Sequence, residues 1–260
     1  MKSVTSTDMT FWEHLDVLRA SLIKAVIIVV AAGMAAFAFK AEVFSVILAP
    51  TESHFITYRL FDGLARSISG SAAADFTVRL FNIGLTEQFF IHIKTSLFIG
   101  LLVASPLVVY LLFRFISPAL RANESRHSGS IITWGYAMFA LGLSFGYYVV
   151  FPFTFRFLGA YTISPDIENT ISLQSYMDTF MMMNLLMGIV FEIPLVCLLL
   201  AKARILTPTF MKHYRKHAIV AILVIAAIIT PTSDVFTLLL VALPILILYE
   251  CSLLLIKRVA

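Results

Sequence analysis

Of the 260 residues, 60% are hydrophobic and only 13% are charged, against about 45–50% and about 25% in ordinary soluble domains. A mean hydropathy of +0.94 means more apolar side chain than a water-soluble core of this size buries, which excludes a soluble globular domain. The apolar stretches are continuous rather than alternating, which excludes a transmembrane barrel and leaves membrane-spanning helices.

A bilayer core of about 30 Å takes roughly 20 apolar residues in helical form. In chain order, a short helix is expected first, capped by Thr10 or Asp8, with Phe11, Leu15, Leu18 and Leu22 at helical spacing on one face. That face can lie in the membrane interface or pack on other helices. Spans are then predicted over 22–39, 89–113, 130–151 and 180–201, followed by two more over 217–230 and 235–256. The last two are expected to be short and joined by the turn Thr230–Asp234. The fifth holds about a dozen apolar residues, Ala218–Ile229, and is read as a short span across locally thinned bilayer rather than a re-entrant segment. Between the first two spans, the loop 40–87 is the sizeable extramembrane region, broken by Pro50, Gly63 and Gly70. The whole chain, 1–260, reads as one all-α polytopic membrane domain of six transmembrane helices.

Orientation follows from the basic residues. Thirteen of the nineteen Lys and Arg fall on the side that holds both ends, Arg114, Arg121, Arg126, Lys202, Lys212, Arg215, Lys216, Lys257 and Arg258 among them. The positive-inside rule therefore puts both termini in the cytoplasm and the 40–87 loop outside, in the periplasm. Glu13 and Asp16 precede a first apolar run too long for a signal-peptide core, with no small-residue cleavage site after it, so that run is expected to be retained.

Few residues carry chemistry. Glu192, in Phe191-Glu192-Ile193-Pro194, lies near the middle of the fourth span, where a charged carboxylate costs roughly 2.5–3.5 kcal/mol on insertion scales. It is expected to be protonated, hydrated or turned to the bundle interior, either as a structural hydrogen bond or as a polar site in a water-accessible cavity. Glu250 reads as a snorkelling or paired carboxylate near Lys257. Glu124 is the lone acid in a basic loop; it either pairs with Arg121 or Arg126 or accepts a guanidinium from a peptide. His213 and His217 have the i, i+4 spacing of metal ligands on a helix, but the surrounding positive charge favours a membrane anchor. Cys197 and Cys251 fall inside apolar segments and read as packed thiols. No nucleophile elbow, zinc-protease or phosphate-loop string occurs, so neither an enzyme nor a cofactor is expected.

Taken together, the motifs resemble the TatC family of the twin-arginine protein translocase over nearly the whole chain. The resemblance rests on His14-Leu15 with Leu18-Arg19, Ala49-Pro50, Ser105-Pro106, and Phe115-Ile116-Ser117-Pro118-Ala119-Leu120 with Glu124. It continues through Phe151-Pro152, Phe191-Glu192-Ile193-Pro194, Thr230-Pro231-Thr232 with Asp234, and Pro244 with Tyr249-Glu250. It implies recognition of paired-arginine signal peptides at the cytoplasmic face and partnership with small single-span subunits of the TatA and TatB type. It also implies homo-oligomers within the complex, and export of folded proteins across a bacterial inner membrane on the proton-motive force. Glu124 matches the family's loop glutamate that contacts the arginine pair, Glu192 its intramembrane glutamate, and Asp234 the aspartate of its last outer turn. Arg19 and Pro50 fall on motif positions. One departure concerns the family's N-terminal glutamate, which is Val17 here; Asp16 or Glu13 is the candidate replacement, although a neighbouring helix position points about 100° away. A secondary transporter with Glu192 as carrier is the rival reading, opposed by the lack of inverted repeats or matched broken helices.

Overall fold

The computed structural model describes residues 11–69, 79–116, 128–161, 164, 170–202, 204–230 and 234–259. Thr10, Asp8, Glu124 and the centre of the Thr230–Asp234 turn lie outside the described residues. The chain divides into two compact units. One combines Met1–Lys40 with His92–Tyr136, the other Ala41–Ile91 with Ala137–Ala260. Among the described residues, five helices are long and apolar enough to cross a membrane, over Leu15–Ala38, Glu87–Leu111, Thr133–Ala160, Leu173–Lys202 and Val235–Arg258.

The first unit is built on α1 (Phe11–Ala38) and most of α4 (Glu87–Ile116). Their backbones touch at Gly33 and Gly100. A Cβ added at Gly100 would stand 2.5 Å from the Gly33 nitrogen and 2.7 Å from the Val29 carbonyl oxygen, so only glycine permits the approach. Phe37 stacks on His92 with ring centroids 3.9 Å apart. Pro106 inside α4 cannot donate to the Leu102 carbonyl four residues back. The Ser105 hydroxyl donates to it instead at 2.7 Å, which keeps the helix usable in lipid, where a bare carbonyl is costly. On α1, Leu22, Ile23, Val26, Ile27 and Met34 are exposed, the surface expected of a helix whose solvent is the bilayer.

The second unit begins with α2 (Lys40–Leu48), a 3₁₀ turn over Ala49–Thr51 and the amphipathic helix α3 (Ile56–Ser69). Two residues of β1 (Leu80–Phe81) pair in parallel with β2 (Ile171–Ser172), Leu80 opposite Ile171. Then α5 (Ser128–Phe145), which belongs to this unit from Ala137 on, runs through a π-helical turn, Gly146–Val150, into α6 (Phe151–Ala160). It packs against α7 (Leu173–Val190), which starts where Ser172 Oγ accepts the Ser175 N–H. At their crossing, a Cβ on Gly142 would meet the Met187 carbonyl oxygen at 2.6 Å and the Gly188 Cα at 2.9 Å.

After a break at Phe191-Glu192 the chain continues as α8 (Ile193–Lys202), α9 (Pro208–His213), α10 (Arg215–Ile229) and α11 (Val235–Val259). Two expectations are corrected here. The last helix is not short: α11 holds 25 residues, about 38 Å at the usual rise. The 15 residues of α10 give about 22 Å, less than the roughly 30 Å core, so the shortness is confined to this helix. Nor do His213 and His217 share one helix, because the chain breaks at Tyr214 between α9 and α10. Both imidazoles flank the Tyr214 ring, at 5.0 and 5.5 Å. Among the described residues no three His, Cys, Asp or Glu converge on a metal site.

Candidate functional site

The predicted residues fall into three places. Asp16 and Arg19 lie one turn apart in α1, both exposed, with Val17 exposed between them. Position 13 belongs to the same helix; the Glu13 side chain, like all of Glu124, is outside the described residues. An exposed carboxylate at the head of α1 is free to meet a cationic ligand, and its attraction is screened by salt.

Glu192 occupies the break between α7 and α8. Pro194 has no N–H to give the Val190 carbonyl, so the helix tightens and restarts. Phe191 N–H donates to Met187 O, Glu192 N–H to Ile189 O, and Val196 N–H to Glu192 O. The side chain is half-buried, flanked by Phe191, which packs on Phe145 at 5.6 Å between centroids. A carboxylate at a helix break inside a span of 30 residues is one of the few polar points of that span, two turns after the buried Asn184.

Pro50 and Asp234 act locally. Asp234 Oδ1 accepts the Thr237 N–H at 2.7 Å and caps α11. Pro50 is buried at the centre of a network that sequence reading missed. A helix leaves its last four carbonyls without intrahelical partners, and at the end of α2 three of them receive side-chain donors. Tyr147 donates to Val46 O at 2.7 Å, Tyr176 to Ile47 O at 2.7 Å and Thr51 to Leu48 O at 2.7 Å. The Tyr58 hydroxyl bridges Pro50 O at 2.9 Å and Pro152 O at 3.2 Å. Pro152 cannot donate to Tyr148 O, and the Thr57 hydroxyl takes that carbonyl. Arg156 pairs with Asp62 at 3.2 Å, both mostly buried, and its guanidinium lies 5.3 Å over the Tyr58 ring. Burial pushes the Tyr58 phenol well above its ordinary range, against the pull of Arg156. It therefore stays a donor. The π-helical turn is what aims Tyr147 at Val46 while Tyr148 lies beside it, the two rings 4.7 Å apart and edge to face.

The basic end of this unit carries Arg215–Glu250 at 2.7 Å, exposed on both sides. Glu250 thus pairs with Arg215 rather than Lys257. Tyr249 donates to Met211 O at 2.8 Å, tying α11 to α9. Of the two thiols, Cys197 is half-buried, while Cys251 is exposed.

These features define a polytopic helical membrane protein with a broken-helix carboxylate and a hydrogen-bonded cap at one end. The family model for the Sec-independent protein translocase protein (TatC) matches residues 13–244, and the chain belongs to that family, a component of the Tat protein-transport system. A TatC of Blattabacterium sp. subsp. Periplaneta americana (strain BPLAN) is 34% identical over 250 residues, 94% of each chain. That of Aquifex aeolicus (strain VF5) is 33% identical over 245 residues, 94% of this chain and 93% of the relative. A crystal structure described as the twin arginine translocase receptor TatC superposes with a TM-score of 0.74 at 34% identity, over 95% of this chain and 99% of that one.

Proposed function

We propose that this chain is the signal-recognising core subunit of a twin-arginine translocase, a single membrane domain with six spans and both termini in the cytoplasm of a bacterial inner membrane. The observation that carries this reading is the agreement along 95% of the chain with a solved protein described as the translocase receptor. The thirteen-to-six split of basic residues supports the orientation. In this reading Glu124, joined by Asp16 or Glu13 and flanked by Arg19, accepts the two signal guanidiniums in fork-to-fork hydrogen bonds. Glu192 is the polar site that the apolar part of the signal meets within the membrane. Pro50 and Asp234 hold the outer helix ends in place. Small single-span subunits then assemble on the loaded receptor, and the proton-motive force drives passage of the folded cargo.

The test is photocrosslinking of a signal peptide to the chain in native membranes. Crosslinks are expected to vanish when the arginine pair becomes a lysine pair, which keeps charge but loses the planar fork. Glu124→Ala is expected to weaken both the crosslink and export of a reporter, and Glu124→Asp less so. Unchanged export in the alanine variant removes Glu124 from the site. Solute uptake by the purified chain in liposomes, without partner subunits, would favour a transporter built on Glu192.

A further inference from the structure

We propose that the corner where α8, α9 and α10 meet is a phosphate site that takes the headgroup of an anionic phospholipid, held by Lys202, Arg204, Lys212 and Lys216. Between Glu192 and Asp234 the sequence has no acid but carries Lys202, Arg204, Lys212, Arg215 and Lys216. Arg215 is neutralised by Glu250. Among the described residues no carboxylate lies within ion-pair distance of the other four, and all four are exposed. The packing draws them to one place. Met211, beside Lys212, is buried against Leu253 and Ile256, and Ala201 and Leu206, on either side of Arg204, pack on the same cluster.

Two features point to the occupant. Arg204 closes α8 in a Schellman turn, in which its N–H donates to Ala201 O at 2.9 Å and the Ile205 N–H to Leu200 O at 3.0 Å. Its φ is +60°, the left-handed region where glycine is the usual residue. An arginine kept there against that preference has a use for its guanidinium, whose planar fork fits a phosphate in two hydrogen bonds. The second feature is the level of the corner. The helices over Leu173–Lys202 and Val235–Arg258, both long and apolar enough to cross a membrane, end here. Ile205 and Phe210 stand 71% and 51% exposed among the bases. Bases and apolar side chains interleaved at the end of such helices meet phosphates and acyl chains together, and a cluster of about four bases there selects anionic lipids. A soluble anion would answer the charge but leave Ile205 and Phe210 in water.

The full chain, purified in detergent with equal amounts of phosphatidylglycerol and phosphatidylcholine, is weighed by native mass spectrometry to count the lipid it retains. Phosphatidylglycerol is expected to predominate. Arg204→Gly relieves the backbone, so its Tm is expected to equal or exceed the wild type while the preference falls about fivefold, the share of one base near a lipid surface. Lys212→Gln combined with Lys216→Gln is expected to lower it further. Arg59→Gln, which removes an exposed base from α3, is expected to leave it unchanged. An unchanged preference in either corner variant overturns the proposal. So does an equal fall in Arg59→Gln, which would make retention a matter of total charge. Release of the lipid by soluble glycerol phosphate or by polyglutamate, at an ionic strength that chloride leaves without effect, also overturns it, by giving the corner to a soluble anion.

Discussion

The two ends of the larger unit handle the same problem, polar groups at the rim of an apolar bundle, in opposite ways. At the α2–α3 end the polar groups are turned inward. Tyrosine and threonine hydroxyls satisfy the carbonyls that end α2, and Arg156–Asp62 is mostly buried. At the other end they are turned outward, and Arg215–Glu250 stands 56% and 40% exposed. The buried bonds, to Ile47 O and Pro50 O, are costly to break because the abandoned carbonyl has no water to replace the donor. Outward pairs exchange freely with solvent. One end is thus built as a fixed brace, and the other as a charged face open to ligands.

The largest expected effect lies between the ends, where one contact serves both. Gly142→Leu forces a side chain into the Met187 carbonyl and the Gly188 backbone, an overpacking cost of about 3 kcal/mol. Thermal unfolding in detergent, followed by circular dichroism, should show a clear fall in Tm. A wild-type Tm would mean that α5 and α7 do not touch at that point.

Next comes the brace. Tyr58→Phe strands Pro50 O and removes the longer bond to Pro152 O, at about 1–3 kcal/mol. The same residue sharpens the comparison through pH. Burial raises the Tyr58 phenol, so the folded chain keeps its proton while the unfolded phenol ionises near its ordinary value of about 10. The stabilisation is fully present below about pH 10 and declines as pH rises through and beyond it. Tm is therefore expected to fall more steeply above pH 10 in the wild type than in Tyr58→Phe. Parallel curves would show that water reaches the hydroxyl. Arg156→Met should cost somewhat less, about 1–2 kcal/mol, because the Asp62 carboxylate left behind is 26% exposed and recovers part of its hydration.

The contrast between the ends also marks what the sequence made legible. Spans were visible because lipid demands continuous apolar runs, and Glu192 because a carboxylate there breaks that rule. Pro50 was legible as a motif position, but its partners were not. Tyr58, Tyr147 and Tyr176 lie in three separate elements and look in sequence like ordinary interfacial tyrosines; only the fold brings their hydroxyls to one helix end. A partial signal existed, since Pro152 announces an orphan carbonyl at Tyr148 four residues earlier. The length of α11 was underestimated because Lys257 and Arg258 read as a boundary, whereas long basic side chains let the helix run on into the interface. The break at Tyr214 was hidden because the helix restarts at once, leaving the histidine spacing intact in sequence.

The smallest effect is expected at the outward-facing end. Arg215→Ala removes a 2.7 Å pair with Glu250, yet an exposed pair contributes only about 0.2–1 kcal/mol, and that share is screened by salt. Tm should therefore drop slightly at low ionic strength and match the wild type in concentrated salt. The Tyr249–Met211 bond provides the internal control, since Tyr249→Phe acts through a neutral hydrogen bond and its loss should not depend on salt. A large, salt-independent loss for Arg215→Ala would mean that this end is braced like the other, and the division between fixed cap and open charged face would fail.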